Sequence, residues 1–325
     1  MMADKISQFL TANMTEATQI SLKEWGPKVI SFVQRIIQSQ EKQCNGVALV
    51  TSGGTVVPLE VHAVRYLTNF SSGGRGANFV ESLVQRKWAC VFLHHKDSEQ
   101  PFRCHINRMS TKQLFAELAA PSRSPTLTAA MEAYEKYNDY ILYIPYHTVI
   151  EYMYLLQLLT VTLSRQVECL QSVPMMLIAA AAVSDYFIPL ERMSKNKISG
   201  GNGLTLQLDN VPKVLATISE EWHGSAVDIP RYLITFKLET EETAMKTKAV
   251  HNLNQYDCDV VVANMLQNYR EKVLVYWGGR HREKEPMPLV KPQNSTMETL
   301  LTNVFLQQIE IDMHEMAEKK QEKDC

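Results

Sequence analysis

The chain has 325 residues, 45% hydrophobic and 21% charged, with 33 basic side chains against 35 acidic ones. That length holds one large α/β domain or two modest ones, with an ample core. A net charge of −2 argues against a mainly electrostatic nucleic-acid binder, though not against a protein that holds a single nucleotide.

Trp25, Val29, Val33, Ile36 and Ile37 recur at helical spacing, with Pro27 suited to the first turn. Val47 to Thr51 is a short buried strand. Ser72 is placed to cap a helix through Phe79, Val80, Leu83 and Val84, and Ala89 to Leu93 returns as a second strand. Strand, helix and strand in that order make a βαβ unit and a parallel sheet. Thr111 to Leu118 and Thr128 to Tyr137 read as helices around a Pro/Ser-rich loop at Pro121 to Pro125. Tyr140 to Pro145 is a strand, Ile150 to Leu163 an apolar helix, and Met175 to Val183 a buried central strand. Residues 186–215 leave the alternation, with Pro189, Lys195-Asn196-Lys197, Gly200-Gly201 and a strand-like Leu204 to Leu208, as a flap or dimer arm. Arg231 to Phe236 and Asp259 to Ala263 are strands with a helix starting at Glu239 to Glu242 between them, and Lys272 to Trp277 is the expected last strand. An amphipathic helix follows around Leu301, Val304, Phe305 and Ile309. The charged end from Glu315 to Cys325 is expected to be disordered.

The pattern predicts an α/β fold, a doubly wound, mostly parallel Rossmann-like sheet with a flap or dimerisation excursion. Its expected parts are an N-terminal helical extension (1–44), a nucleotide- and substrate-binding α/β domain (45–280, flap about 186–215), and a C-terminal helix with its tail (281–325). The six cysteines form no C-x-x-C pair and several lie in apolar runs, which fits reduced thiols in the cytoplasm. Met1 to Gln19 lacks a secretory h-region, and no apolar run approaches the ~20 residues of a membrane span. Neither nucleic acid nor membrane is expected as a partner.

Chemistry concentrates in Thr51-Ser52-Gly53-Gly54-Thr55 and Asn69-Phe70-Ser71-Ser72-Gly73-Gly74-Arg75-Gly76. Backbone without Cβ approaches a phosphate closely, and a helix start offers it free N–H donors. Neither G-x-G-x-x-G nor G-x-x-x-x-G-K-[ST] is present. Gly53-Gly54 alone weighs evenly against a tight turn, and the second glycine run tips the balance toward an anion site. Asp185 and Asn264, each at a strand end, would be capping residues if read in isolation. Lys195, Lys197 and Lys237 would be solvated lysines. His94 and His95 point to opposite sides of a strand and are taken as structural, and no metal ligands are assigned. Asp97 lies where a dinucleotide fold places a ribose-binding acid.

Together these motifs resemble phosphopantothenoylcysteine synthetase. The resemblance rests on Thr51 to Thr55, Pro58-Leu59-Glu60, Val64-Arg65-Tyr66, Asn69 to Gly73, Gly76, Ala181 to Tyr186, Lys197-Ile198, Phe236 to Thr240 and Val261 to Asn264, over roughly residues 45–280. It implies a ligase of coenzyme A biosynthesis that joins 4′-phosphopantothenate to L-cysteine. The implied route is an acyl-nucleotidylate, with Mg²⁺ and a nucleoside triphosphate as co-substrate. By the same resemblance Gly53, Ser71, Gly73, Gly76, Phe236 and Asn264 line the nucleotide. Arg65, Asn69, Ala181, Ala182 and Asp185 hold phosphopantothenate, with Arg65 reaching across a homodimer interface. Asn69 and Lys197 carry the catalytic roles. The flap reads Lys197-Ile198-Ser199-Gly200 where bacterial members often run Lys-Ile-Lys-Lys, which favours ATP over CTP. The alternatives are an NAD(P)-dependent Rossmann-fold reductase, disfavoured by the missing fingerprint, and a nucleotide-binding regulatory protein without turnover.

Overall fold

A computed structural model describes residues 2–120, 124–201, 203–224 and 229–324. The Pro/Ser-rich loop falls partly outside them, at 121–123, as does residue 325. The chain opens with helices α1 (Met2–Ala12), α2 (Glu16–Lys23) and α3 (Trp25–Ile37), then β1 (Gly46–Ser52), β2 (Val56–Pro58), β3 (Tyr66–Thr68), α4 (Gly74–Val84) and β4 (Trp88–His95). There follow α5 (Cys104–Asn107), α6 (Thr111–Ala119), α7 (Pro125–Tyr137), β5 (Ile141–Tyr146), α8 (Val149–Val161), β6 (Met175–Ala179), β7 (Tyr186–Phe187) and β8 (Asp209–Asn210). The last elements are α9 (Leu215–His223), β9 (Arg231–Glu239), α10 (Glu242–Tyr256), β10 (Val260–Met265), β11 (Lys272–Trp277), β12 (Met287–Val290) and α11 (Met297–Asp324).

The main sheet has eight strands in the order β12-β11-β10-β9-β6-β1-β4-β5. From β10 to β5 neighbouring strands run parallel, while β11 and β12 are antiparallel at one edge. All seven residues of β1 are buried, as an unbroken apolar run requires when helices cover both faces. From β1 the chain steps outward to β4 and β5, then returns to β6 on the other side. The order therefore reverses between β1 and β6, and open α/β sheets bind ligands beyond the carboxyl ends of such a pair.

Four expectations are corrected. β6 stops at Ala179 rather than Val183, because the hydroxyls of Thr51 and Thr55 accept the N–H groups of Ala181 (3.1 Å) and Ser184 (2.9 Å) and draw the chain out of the sheet. Leu204 to Leu208 forms no strand. Among the described residues of 203–210, Asp209–Asn210 alone pair, with Tyr186–Phe187, so the flap is a largely irregular loop on a two-rung stem, with one bridge from Ser194 to Glu60. Lys272–Trp277 is not the last strand, since β12 pairs with it. Finally, α11 runs through to Asp324 where disorder was expected. Its end is rich in Glu, Lys, Gln, Met and Ala and lacks Gly and Pro, so helix propensity suffices to continue it.

The N-terminal helices and α11 share one core with the sheet: Ile6, Leu10, Val29 and Val33 from one, Leu301, Phe305 and Ile309 from the other. Leu301, Phe305 and Ile309 recur every four residues and lay α11 along α4. Further along α11, the buried carboxylate of Asp312 accepts from the hydroxyl of Tyr232 (2.7 Å) and from Gln308 (3.0 Å), and pairs with His281 (2.9 Å). Burial alone would raise Asp312, but these partners hold it below the usual carboxylate range. No helix among the described residues is long and apolar enough to cross a membrane.

Candidate active site at the carboxyl edge of the sheet

The turn after β1 is built into the switch point. Gly53 holds a φ of 89°, which L side chains resist, and its carbonyl accepts the N–H of Ala182 at 2.8 Å. Thr55 N–H donates to the Ala182 carbonyl at 3.0 Å. With the two threonine hydroxyls, these bonds stitch 51–55 to 181–184, so Gly53 and the Ala181-Ala182 pair form one surface. The side-chain amide of Asn69 donates to the Val183 carbonyl at 3.1 Å, which fixes Asn69 on the same junction.

Helix α4 opens beside it. Ser72 is not its cap. That position falls to Gly73 at φ 83°, with no side-chain cap bond, while Ser72 Oγ accepts from Gly74 N–H at 3.3 Å. The first turn thus keeps donors for an anion, with Ser71 next to it. Gly76 serves close packing, since a Cβ there would lie 2.4 Å from Ser52 Cβ.

Above this helix start, Phe236 on β9 lies 4.8 Å from the guanidinium of Arg75, which also faces Tyr269 at 5.7 Å. Burial lowers the pKa of Arg75, opposed by Glu298 at 3.8 Å. Asn264, on the neighbouring strand β10, is 1% exposed, and neither its amide nitrogen nor its oxygen has a partner among the described residues. A buried amide in that state has hydrogen-bonding capacity that a ligand or a water can fill.

Ala181, Asp185 and Phe236 line a single cavity of about 280 Å³, together with Tyr152, Lys213 and Lys237. Residues expected to serve the substrate and the nucleotide therefore meet there. Asp185 pairs with Lys213, a residue that sequence reasoning missed. Arg75 was also missed, although it stands inside the run Gly73-Gly74-Arg75-Gly76.

Arg65 turns to its own chain. Its guanidinium donates to Glu60 Oε1 (3.0 and 2.6 Å) and to the Ile198 carbonyl (2.6 Å), and its Nη1 makes no hydrogen bond among the described residues. Glu60 is fully buried and also accepts from the N–H groups of Ile198 (3.3 Å), Arg65 (3.2 Å) and Val64 (3.4 Å). Burial would push its carboxyl up, but Arg65 and the three amides outweigh this and hold it low. Glu60 thereby joins the β2–β3 ribbon to the flap, where Lys197 is exposed. The structure leaves Lys197 apart from the cavity-lining residues.

His94 is buried and stacks on Phe92 at 5.0 Å between centroids. His95 Nε2 lies 3.0 Å from His147 Nδ1, and with Asp97 these two form a group of possible metal ligands within 4.8 Å of one another. Sequence reading had left His147 out. Asp97 lines a separate polar hollow of about 340 Å³ with Ser72, Glu99 and Arg103.

Comparison with known proteins gives one consistent answer. Residues 157–289 match the family described as DNA/pantothenate metabolism flavoprotein C-terminal domain. The chain is 35% identical to phosphopantothenate–cysteine ligase 2 of Oryza sativa subsp. japonica, over 84% of this chain and 85% of that one. It is 30% identical to phosphopantothenate–cysteine ligase CAB2 of Saccharomyces cerevisiae, over 80% and 76%. A variant of Cab2 superposes with a TM-score of 0.79 at 25% identity, covering 96% of this chain and 99% of that one. The reductase reading thereby falls away. The chain belongs to the phosphopantothenate–cysteine ligase family of coenzyme A biosynthesis.

Proposed function

We propose that this ligase activates the carboxylate of 4′-phosphopantothenate with a nucleoside triphosphate, ATP in preference to CTP, and transfers the acyl group to L-cysteine. The observation that carries the reading is the stitched junction. The Gly53 turn, Ala181-Ala182 and Asn69 share one surface at the switch point, beside the open start of α4 and the unpartnered Asn264. In the first step a carboxylate oxygen attacks the α-phosphorus and the bond to pyrophosphate breaks. In the second the cysteine ammonium gives up a proton to solvent, the freed nitrogen attacks the acyl carbon, the bond to the nucleotide oxygen breaks, and a second proton leaves the new amide for solvent.

Gly53, Ser71, Gly73 and Gly76 frame the phosphates, and Phe236 and Asn264 the rest of the nucleotide. Mg²⁺ enters with the triphosphate as part of that co-substrate. Asn69, Ala181, Ala182 and Asp185 hold phosphopantothenate, and Asn69 donates to the mixed anhydride. Lys197 closes over the phosphates when the flap folds down. Such a site works by positioning and preset donors and needs no dedicated nucleophile.

The functional unit is a homodimer. Supporting this, Val61, Val64, Tyr66, Leu67 and Phe70 are all exposed around Arg65, and Phe70 is 97% exposed. An apolar face of this kind is what a second copy of the chain would cover. In that dimer the spare Nη1 of Arg65 reaches the partner's substrate phosphate. The described cysteines are free thiols, which supports a cytoplasmic setting. The test supplies 4′-phosphopantothenate, L-cysteine and Mg²⁺ with ATP or CTP and follows pyrophosphate and the amide. Turnover faster with ATP is expected, and no turnover with either nucleotide would sink the proposal.

A further inference from the structure

We infer that Asp185 and Lys213 form the subsite for the incoming amino acid, a zwitterion: Lys213 takes the α-carboxylate, and Asp185, which holds phosphopantothenate through one carboxylate oxygen, accepts from the α-ammonium through the other. The inference rests on the ligase reading above and deepens it. The two residues stand at the roots of the flap. Asp185 directly precedes β7 and Lys213 lies just past β8, and the N–H of Val211 donates to the Asp185 carbonyl at 2.9 Å. The stem thus holds one carboxylate and one ammonium face to face in the wall of the 280 Å³ cavity.

Both side chains are open to solvent, at 63% for Asp185 and 60% for Lys213. An ion pair so exposed contributes little to folding and opens at little cost. It also selects by charge. A phosphate entering on Lys213 would meet the Asp185 carboxylate, whereas a zwitterion presents the opposite charge to each member. Position adds a second constraint. Asn69 is tied to the carbonyl of Val183, two residues before Asp185, so one short segment carries both Asp185 and the anchor of the group assigned to the acyl anhydride. Ala179 and Ala181 keep that part of the cavity wall small, which leaves room for a short side chain such as a thiol.

The experiment compares L-cysteine with cysteamine, which has the same amine and thiol but no carboxylate. In the wild-type chain kcat/KM should favour cysteine. Lys213→Ala should raise KM for cysteine by about tenfold or more, the usual effect of losing one charge-assisted hydrogen bond. It should leave KM for cysteamine, phosphopantothenate and nucleotide within about twofold. The preference for cysteine over cysteamine should therefore collapse, with Lys213→Arg restoring part of it. An unchanged preference in Lys213→Ala would overturn the subsite, as would a rise in KM for phosphopantothenate in place of cysteine. Absence of wild-type turnover would instead count against the ligase reading itself. Since the preference is a ratio measured on one variant, partial misfolding cancels from it.

Discussion

At the scale of single residues, Asn69 and Asn264 separate activity from stability in opposite ways. Among the described residues Asn69 makes one side-chain hydrogen bond, to a loop carbonyl, so Asn69→Ala should lower stability by only about 1 kcal/mol. If its amide also meets the anhydride, kcat should fall by about 100-fold or more, as on loss of one preset donor. Thermal melts and steady-state rates on one preparation test both, and unchanged activity removes Asn69 from the site. Asn264 is the converse case. An unpaired buried amide costs about 1–3 kcal/mol, so Asn264→Leu should hold or raise Tm while KM for the nucleotide rises about tenfold or more. A drop in Tm with unchanged KM would make Asn264 a packing residue. The same contrast explains what the sequence could not reveal. A strand-end Asn looks identical whether its amide is satisfied or not, and Lys213 resembles any lysine on a polar loop until the flap stem brings it to Asp185.

At the scale of elements, long periodic runs were legible and partner-dependent ones were not. The strands of the parallel core and helices α3, α6, α7 and α8 follow from apolar spacing alone. The end of β6 depends on two threonine hydroxyls more than 120 residues away in sequence, and Leu204 to Leu208 needed a neighbouring strand that the fold does not supply. Glu60 illustrates the same dependence in the site. Pro58-Leu59-Glu60 was recognisable as a motif, yet only the fold shows its carboxylate fastening the β2–β3 ribbon to the flap. Glu60→Gln weakens both ends of that fastening, so limited proteolysis within 194–201 should speed up about tenfold, at rates set by local opening. Unchanged cleavage would show that the flap is held elsewhere. Because the folded-state pKa of Glu60 is lowered, its contribution is full above the ordinary carboxylate range and is lost as pH falls through the lowered value.

A second link between elements carries the opposite pH sign. His223, in the last turn of α9, pairs with Asp259 at 2.9 Å, and Asp259 also accepts the Leu233 N–H at 2.7 Å. Burial alone would lower His223, but Asp259 outweighs it and the pKa rises. The pair's contribution is then full below about pH 6.5, the ordinary histidine value, and fades as pH climbs through the raised one. His223→Gln should cost about 1–2 kcal/mol near pH 6, and the gap from wild type should narrow by about pH 9. A gap independent of pH would mean that His223 stabilises through packing alone.

At the scale of the whole molecule, complementation between two defective chains tests whether one chain holds a complete site. The Gly53 turn at the switch point, Asn264 and the cavity between β6 and β9 lie in one chain. Arg65, by contrast, is fastened to its own Glu60 at the foot of the exposed strand β3. If the ribbon packs on a second copy, each site takes Arg65 from one chain and Asn264 from the other. Arg65→Ala and Asn264→Ala, assayed at nucleotide well below the wild-type KM so that each is slow alone, then complement when mixed and allowed to exchange. Random exchange makes half of the dimers mixed, and each mixed dimer contains one site with both native residues, so activity should return to about one quarter of wild type. If sites lie within single chains, every site in the mixture keeps one defect and nothing returns. Phe70→Asp provides the control. By charging the apolar face it should shift sedimentation from dimer toward monomer and abolish complementation when built into both chains. Recovery in a mixture that sediments as monomer would rule out the shared site.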